Sequence, residues 1–189
     1  QTRERIAYSL AFFHPLERSR ALLINLIQQT SLTFIRRPSF PQAGERRVGR
    51  VLVTGVFDLL HSEHLAFLRK ARQLGDFLVI ALESDERVRA IKGEGRPVNS
   101  ARVRQQALEG LGIAEEVIIL PAEFGSPEVR AQFLLEWQPQ ILAVSAHTAH
   151  LPQKRQMMKA VGGRVVIAHP HNPAISTTRI LKESGGSRG

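Results

Sequence analysis

The sequence predicts an α/β protein: a three-layer α/β/α sandwich on a five-stranded parallel sheet, with a helical extension at its N-terminal side. Three observations predict it. From Arg50 onward, short apolar runs alternate with longer amphipathic segments, the pattern of a parallel sheet with helices on both faces. The first run, Val51-Leu52-Val53, ends in Thr54-Gly55, and a turn carrying Asp58 leads into His61 and His64. Residues 1–48 differ in composition from everything after them.

Residues 1–48 are expected to form a basic extension and linker. Pro15 to Gln29 has a rough apolar helical face from Leu16, Leu22, Leu23, Leu26 and Ile27, and Pro38, Pro41 and Gly44 punctuate a linker. The domain proper is expected over residues 49–184, with a flexible tail at 185–189. Arg50–Thr54 reads as the first strand, and Ser62–Leu74 as a helix with Leu65, Leu68 and Ala71 on one face. Phe77–Leu82 is a second buried strand. Asp85 stands after it, placed to orient a substrate hydroxyl or to cap Glu86–Ala90. Ser100 caps a helix reaching Leu111, and Glu116–Leu120 is a third strand. Pro127–Trp137 is a helix, Ile141–Val144 a fourth strand, Leu151–Val161 a helix and Arg164–Ala168 a fifth strand. Ser176–Lys182 is the final helix. In sheets of this kind ligands bind beyond the carboxyl ends of the strands, near the point where strand order reverses.

Charge narrows the function classes. The chain carries a formal +9, but nine arginines against three glutamates place six of those charges in residues 1–50. The core is only modestly basic, which suits an anionic small molecule better than nucleic acid. There are no cysteines, so disulfide and thiolate chemistry are excluded. No apolar run approaches the ~20 residues of a membrane-spanning helix. An Arg-rich, acid-poor extension is also the composition of a transit peptide or a membrane-surface helix. The plainer reading, an appendage packed on the core or on a second subunit, is preferred.

Two segments suggest anion binding. Gly55 directly after a strand lets the backbone of Thr54–Phe57 approach a ligand and expose its amides, though alone it is an ordinary tight turn. It begins neither a P-loop nor a G-x-G-x-x-G fingerprint. His61 and His64 share a helical face, where imidazoles can donate to phosphate oxygens and shift toward imidazolium, or simply cap the helix. A metal site with Glu63 lacks a third ligand at convincing spacing. Asp58 is suited to fixing the turn by accepting backbone N–H groups. Lys92, Arg96 and Arg104 form a basic group that by default is a solvated face. In Ile175-Ser176-Thr177-Thr178-Arg179-Ile180, three hydroxyls open the last helix, a second anion cradle or a simple cap.

Together these segments resemble the cytidylyltransferase-like family of nucleotidyltransferases. The family pattern is H-x-G-H after the first strand and I-S-[ST]-T-x-I at the last helix. Here His61-Ser62-Glu63-His64 and Ile175 to Ile180 stand in those places, about 115 residues apart. Gly75-Asp76-Phe77-Leu78-Val79 and Ser84-Asp85 resemble the family's second strand and following turn. Lys92-Gly93, Arg96-Pro97-Val98 and Arg104 resemble bacterial sugar-phosphate (heptose-type) adenylyltransferases, and Ile-Ser-Thr-Thr with a following basic residue resembles glycerol-3-phosphate cytidylyltransferase.

The resemblance implies a Rossmann-like fold over roughly residues 49–184. It also implies transfer of a nucleoside monophosphate from CTP or ATP to a phosphorylated small alcohol or sugar, with pyrophosphate leaving and Mg²⁺ accompanying the triphosphate. By the same resemblance Thr54, Gly55, Val56 and Phe57 hold the α-phosphate. His61 and His64 stabilise the transition state and the leaving pyrophosphate. Lys92 neutralises phosphates, Arg104 helps hold the triphosphate, Asp85 binds the nucleotide, and Ser176, Thr177 and Thr178 cradle the β- and γ-phosphates. A cytoplasmic location and a homodimer fit the resemblance, with no nucleic-acid partner and no transmembrane segment.

Three stretches depart from the family pattern, one of them His169-Pro170-His171-Asn172-Pro173-Ala174, which stands where the cytidylyltransferases have Arg-Thr-x-Gly. Glu63 replaces the motif glycine, where a carboxylate can repel triphosphate, point outward or help bind Mg²⁺. Ser145-Ala146-His147-Thr148-Ala149-His150 replaces a Gly-Gly-Asp type loop, with His147 and His150 as substitute donors. Glu63 motivates the alternative of a catalytically degenerate nucleotide-binding or regulatory module on the same fold.

Overall fold

A computed structural model of the chain describes residues 49–170. The extension at 1–48, the Ser176–Lys182 helix and the tail therefore lie outside the described residues. Five strands form one sheet: β1 (Arg50–Gly55), β2 (Phe77–Leu82), β3 (Glu116–Ile119), β4 (Ile141–Ser145) and β5 (Arg164–His169). Their order is β3-β2-β1-β4-β5 and every pairing is parallel. The helices are α1 (Ser62–Arg72), α2 (Asp85–Lys92), α3 (Ala101–Glu109), α4 (Pro127–Trp137) and α5 (Leu151–Ala160), with a 3₁₀ turn at Ala122–Gly125. This is the expected Rossmann-like α/β sandwich.

Both faces of the sheet are covered because its strands are apolar at successive positions, whose side chains point to opposite faces in turn. Val51, Val53, Leu78, Ile80, Ile141 and Ala143 meet α1 and α3 through Phe67, Leu68, Ala71 and Leu108. Leu52, Val79, Ala81, Leu142 and Val144 face the other way and meet Phe133, Leu134, Trp137 and Met158. On α1 the buried residues are Phe67, Leu68 and Ala71, while the expected Leu65 is only half-buried.

Helix starts follow local chemistry. The Ser84, Ser100 and Ser126 hydroxyls accept from the amides of Arg87, Val103 and Val129, capping α2, α3 and α4. Asp85 is therefore the first residue of α2, and Ser84 performs the capping considered for it.

The strand order sets the location of a cleft. Chain connections run outward from β1 through β2 to β3, then return to β4 and β5 on the other side. Between β1 and β4 the register pairs are Val51 with Ile141 and Leu52 with Leu142. Past them lie Thr54-Gly55 and Val144-Ser145, at the carboxyl edge where an open parallel sheet leaves room for a ligand.

Candidate functional site

A cavity of about 350 Å³ opens at that edge. Thr54, Gly55, Val56 and Phe57 line it from β1, Val144 and Ser145 from β4, and His61, Glu63 and His64 from the start of α1. Lys92 reaches it from the end of α2, and His147, Lys154 and His169 complete the polar wall. Four of the chain's seven histidines thus converge on one cavity, a concentration of hydrogen-bonding groups that packing alone does not require.

The turn after β1 is built around Phe57. Its φ is 48°, in the left-handed region that a bulky residue adopts only when its surroundings enforce it. The ring is buried and lies over Gly55, where a Cβ would come within 2.7 Å of Phe57 Cε2. Gly55 is needed for this close approach.

His61 occupies the N-cap position of α1, yet its side chain makes no capping hydrogen bond. Its ring stacks on His64, with centroids 3.8 Å apart and planes 17° from parallel. Phe57 meets His64 edge-on at 5.1 Å. Burial is the main cause that lowers the His64 pKa to about 4, and the charges of His61 and Lys92 push the same way, against a backbone hydrogen bond with Leu59. The His64 ring is therefore neutral near pH 7, not imidazolium. Lys92 is lowered too, by burial first and then by Arg96 and Arg104, with Asp58 opposing. The Lys92 ammonium is held here against its own electrostatic preference, and an anion beside it in the cavity would relieve that cost.

The basic group of the sequence divides. Only Lys92 lines the cavity. Arg96 pairs with Asp58 at 2.8 Å, and the Asp58 carboxylate accepts from the amides of Val98 and Asn99 at 3.0 and 2.9 Å. Asp58 does accept backbone N–H groups as expected, but from a loop forty residues later, which it clamps to the β1 turn.

Arg104 does not reach the cavity. Its guanidinium is buried and donates to the carbonyls of Asn99 and Val56 at 3.0 and 2.7 Å and to Asp85 at 2.7 Å. A buried charge satisfied three ways inside the protein is structural, so Arg104 and Asp85 support the turn instead of lining the cavity.

The residues of the altered loop also separate. His147 lines the cavity, whereas His150 is the left-handed N-cap residue of α5. Glu63 turns toward β5, where its Oε2 lies 2.9 Å from His169 Nε2. Ser176, Thr177 and Thr178 lie outside the described residues. Lys154, Thr148 and His169 are cavity residues that the sequence did not single out. Lys154 lies within the helix expected at Leu151–Val161, and His169 begins the His-Pro-His segment that departs from the family pattern.

Among the described residues no group of three or more His, Asp or Glu could hold a metal ion, and no helix is long and apolar enough to cross a membrane.

The cytidylyltransferase-like family model matches residues 52–183. The bifunctional protein HldE of Desulfatibacillum aliphaticivorans is 32% identical over 149 residues, covering 76% of this chain and 29% of that protein. HldE of Pseudomonas syringae pv. syringae is 36% identical over 138 residues, covering 72% of this chain and 28% of that protein. The chain thus spans less than a third of the length of these curated relatives. Among solved structures, the lipopolysaccharide core biosynthesis protein of Thermoplasma volcanium GSS1 has the same fold, with a TM-score of 0.53 at 23% identity over 66% of this chain and 97% of that one. With the sandwich, the switch-point cavity and the match over residues 52–183 in agreement, the chain belongs to the cytidylyltransferase-like family.

Proposed function

We propose that this chain transfers a nucleoside monophosphate from CTP or ATP to a phosphorylated small alcohol or sugar. A phosphate oxygen of the acceptor attacks the α-phosphorus in line, the bond to the β-phosphate oxygen breaks, and pyrophosphate leaves. The observation that carries this reading is the switch-point cavity, where two stacked imidazoles and Lys92 face the backbone after β1. The resemblance of Lys92-Gly93, Arg96-Pro97-Val98 and Arg104 to bacterial sugar-phosphate adenylyltransferases supports an acceptor of the sugar-phosphate class.

Catalysis here is positioning and charge stabilisation. Backbone amides of Gly55–Phe57 cradle the α-phosphate. His61 and His64 donate hydrogen bonds to the oxygens that gain charge, and Lys92 offsets the triphosphate. Ser176, Thr177 and Thr178 would hold its far end. The cavity carboxylates are already engaged, Asp58 with Arg96 and Glu63 with His169. That set does not suit a resident ion caged by protein, but it suits Mg²⁺ carried on the triphosphate, which needs few carboxylates. Bound there, Mg²⁺ supplies further neutralisation of phosphate charge.

Pyrophosphate release from CTP and ATP, each paired with a panel of phosphorylated alcohols and sugars, tests the proposal. Release that depends on one acceptor supports it. Tight triphosphate binding with no release across the panel would favour the regulatory module instead.

A further inference from the structure

Strand β5 carries a β-bulge at its carboxyl end. Val144 pairs with Ile167, but the next residue of β4, Ser145, pairs with His169, so β5 takes two steps where β4 takes one. Bulges are rare between parallel strands, and beside a functional site they re-aim a side chain.

The side chain re-aimed here is His169. Val165 packs on the core that α4 and α5 cover, and strict alternation along β5 would carry that face on to Ile167 and His169. A second cavity, of about 200 Å³, lies on that side of the sheet, with Leu52, Leu142 and Arg130 in its lining, and shares Thr54 and Lys154 with the first. His169 does not line it. The bulge sets His169 beside Ser145, which has the parity of Ala143, on the face that α1 covers. There its Nε2 lies 2.9 Å from Glu63 Oε2, a residue 106 positions earlier in the chain.

The ring is placed for this one contact. An ionised carboxylate only accepts hydrogen bonds, so the ring nitrogen facing Glu63 carries the proton. The other nitrogen, Nδ1, is buried and has no hydrogen-bond partner among the described residues. Glu63 creates the need for such a contact. It stands where the family pattern has glycine, in the first turn of α1, and lines the cavity with His61, His64 and Lys92. A carboxylate free to turn into that cavity repels a triphosphate.

We propose that His169 is a positioning residue for the nucleotide, acting through Glu63. The bulge of β5 presents the imidazole, the imidazole holds the carboxylate against the β5 wall, and the cavity accepts a triphosphate because the carboxylate is held there. This inference rests on the reading of the cavity as a triphosphate site. It adds the residue that makes an acid at the motif-glycine position compatible with that ligand.

A pair that only fastens α1 to β5 and a pair that restrains a charge behave differently in a double-mutant cycle. ATP and CTP affinities of the full chain are measured by calorimetry near neutral pH for the native protein, Glu63→Gln, His169→Ala and the double variant. His169→Ala should weaken binding at least about tenfold, as the released charge meets the phosphates. Glu63→Gln should stay within about threefold, and the double variant should recover to within about threefold, because the charge that His169 restrained is gone. His169→Gln keeps an N–H donor and should also bind within about threefold. Equal losses in Glu63→Gln, His169→Ala and the double variant would make the pair a plain fastening and overturn the inference, as would native affinity in His169→Ala. The native chain supplies a check that needs no variant. By NMR the His169 Nε2 proton should stay hydrogen-bonded and slow to exchange with ATP bound, and its loss on binding would also overturn the inference.

Urea midpoints of the ligand-free proteins separate this inference from the transfer reading. His169→Ala should unfold at lower urea than the double variant, since it takes the donor from a largely buried carboxylate. That order, with no triphosphate bound by the native chain, removes the transfer reading and leaves the restraint of Glu63. Tight native binding with a flat cycle removes the restraint and leaves the transfer reading.

Discussion

His64 sits where burial, a stacked imidazole and an ammonium all act against its protonated form. Its folded pKa of about 4 lies below the ordinary 6.5, so between those pH values the unfolded chain takes up a proton that the folded chain refuses. The stability this residue supports is complete above pH ~6.5 and drains away as the pH falls toward 4, by roughly 2 kcal/mol at about pH 5. Urea midpoints at neutral and acid pH should show this loss in the native chain and a flatter profile in His64→Gln. Profiles of equal slope would contradict it. His61 makes no capping hydrogen bond, and its ring lines the cavity stacked on His64. His61→Ala should cut turnover about 10²–10³-fold, the cost of removing one transition-state donor. A variant with near-native kcat would take His61 out of the mechanism.

Single residues also show where sequence reading stops. That Gly55, His61 and His64 share one cavity is legible because local context suffices: a strand, a turn and a helix start fall within fourteen positions. Arg104 is not, because its partners Val56 and Asp85 are 48 and 19 residues away. A basic residue near a basic motif looks like a phosphate ligand until the carbonyl it bonds is known.

At the scale of elements, two long-range clamps hold the cavity. Asp58 fastens the 96–99 loop to the β1 turn. The carboxylate is almost wholly buried, so Asp58→Ala would strand Arg96 and two amides. A loss of about 3 kcal/mol is expected in chemical denaturation, with weakened triphosphate binding as α2 and Lys92 lose their anchor. A loss under about 1 kcal/mol would mean that water replaces the clamp.

The second clamp joins the first turn of α1 to β5 through Glu63 and His169. Because His169 answers the carboxylate, its repulsion of a triphosphate is muted. Glu63→Gly should leave triphosphate affinity within about threefold. It should lower stability by about 1 kcal/mol through the added glycine and the lost negative charge at a helix N-terminus. An affinity gain of tenfold or more, measured by calorimetry, would identify Glu63 as a brake on binding.

The whole molecule was the most legible level. Strands buried on both faces must be apolar throughout, so each appeared as a short hydrophobic run, and helix-length segments between them required parallel pairing. The order of those strands was not legible, because five similar runs do not say which neighbours which. Neither was the second cavity, which exists only once α4 and α5 lie side by side across Leu52 and Leu142. The two cavities share Thr54 and Lys154 and meet at the carboxyl end of β1.

In the proposed reaction the switch-point cavity grips a triphosphate beside the paired imidazoles. Titration of the His64 ring by NMR, with and without saturating CTP or ATP, tests it most directly. The free protein should show a pKa near 4, and bound triphosphate should raise it by at least about one unit as phosphate charge reaches the ring. A His64 pKa that stays in place when the nucleotide is bound would put the triphosphate elsewhere and contradict the account.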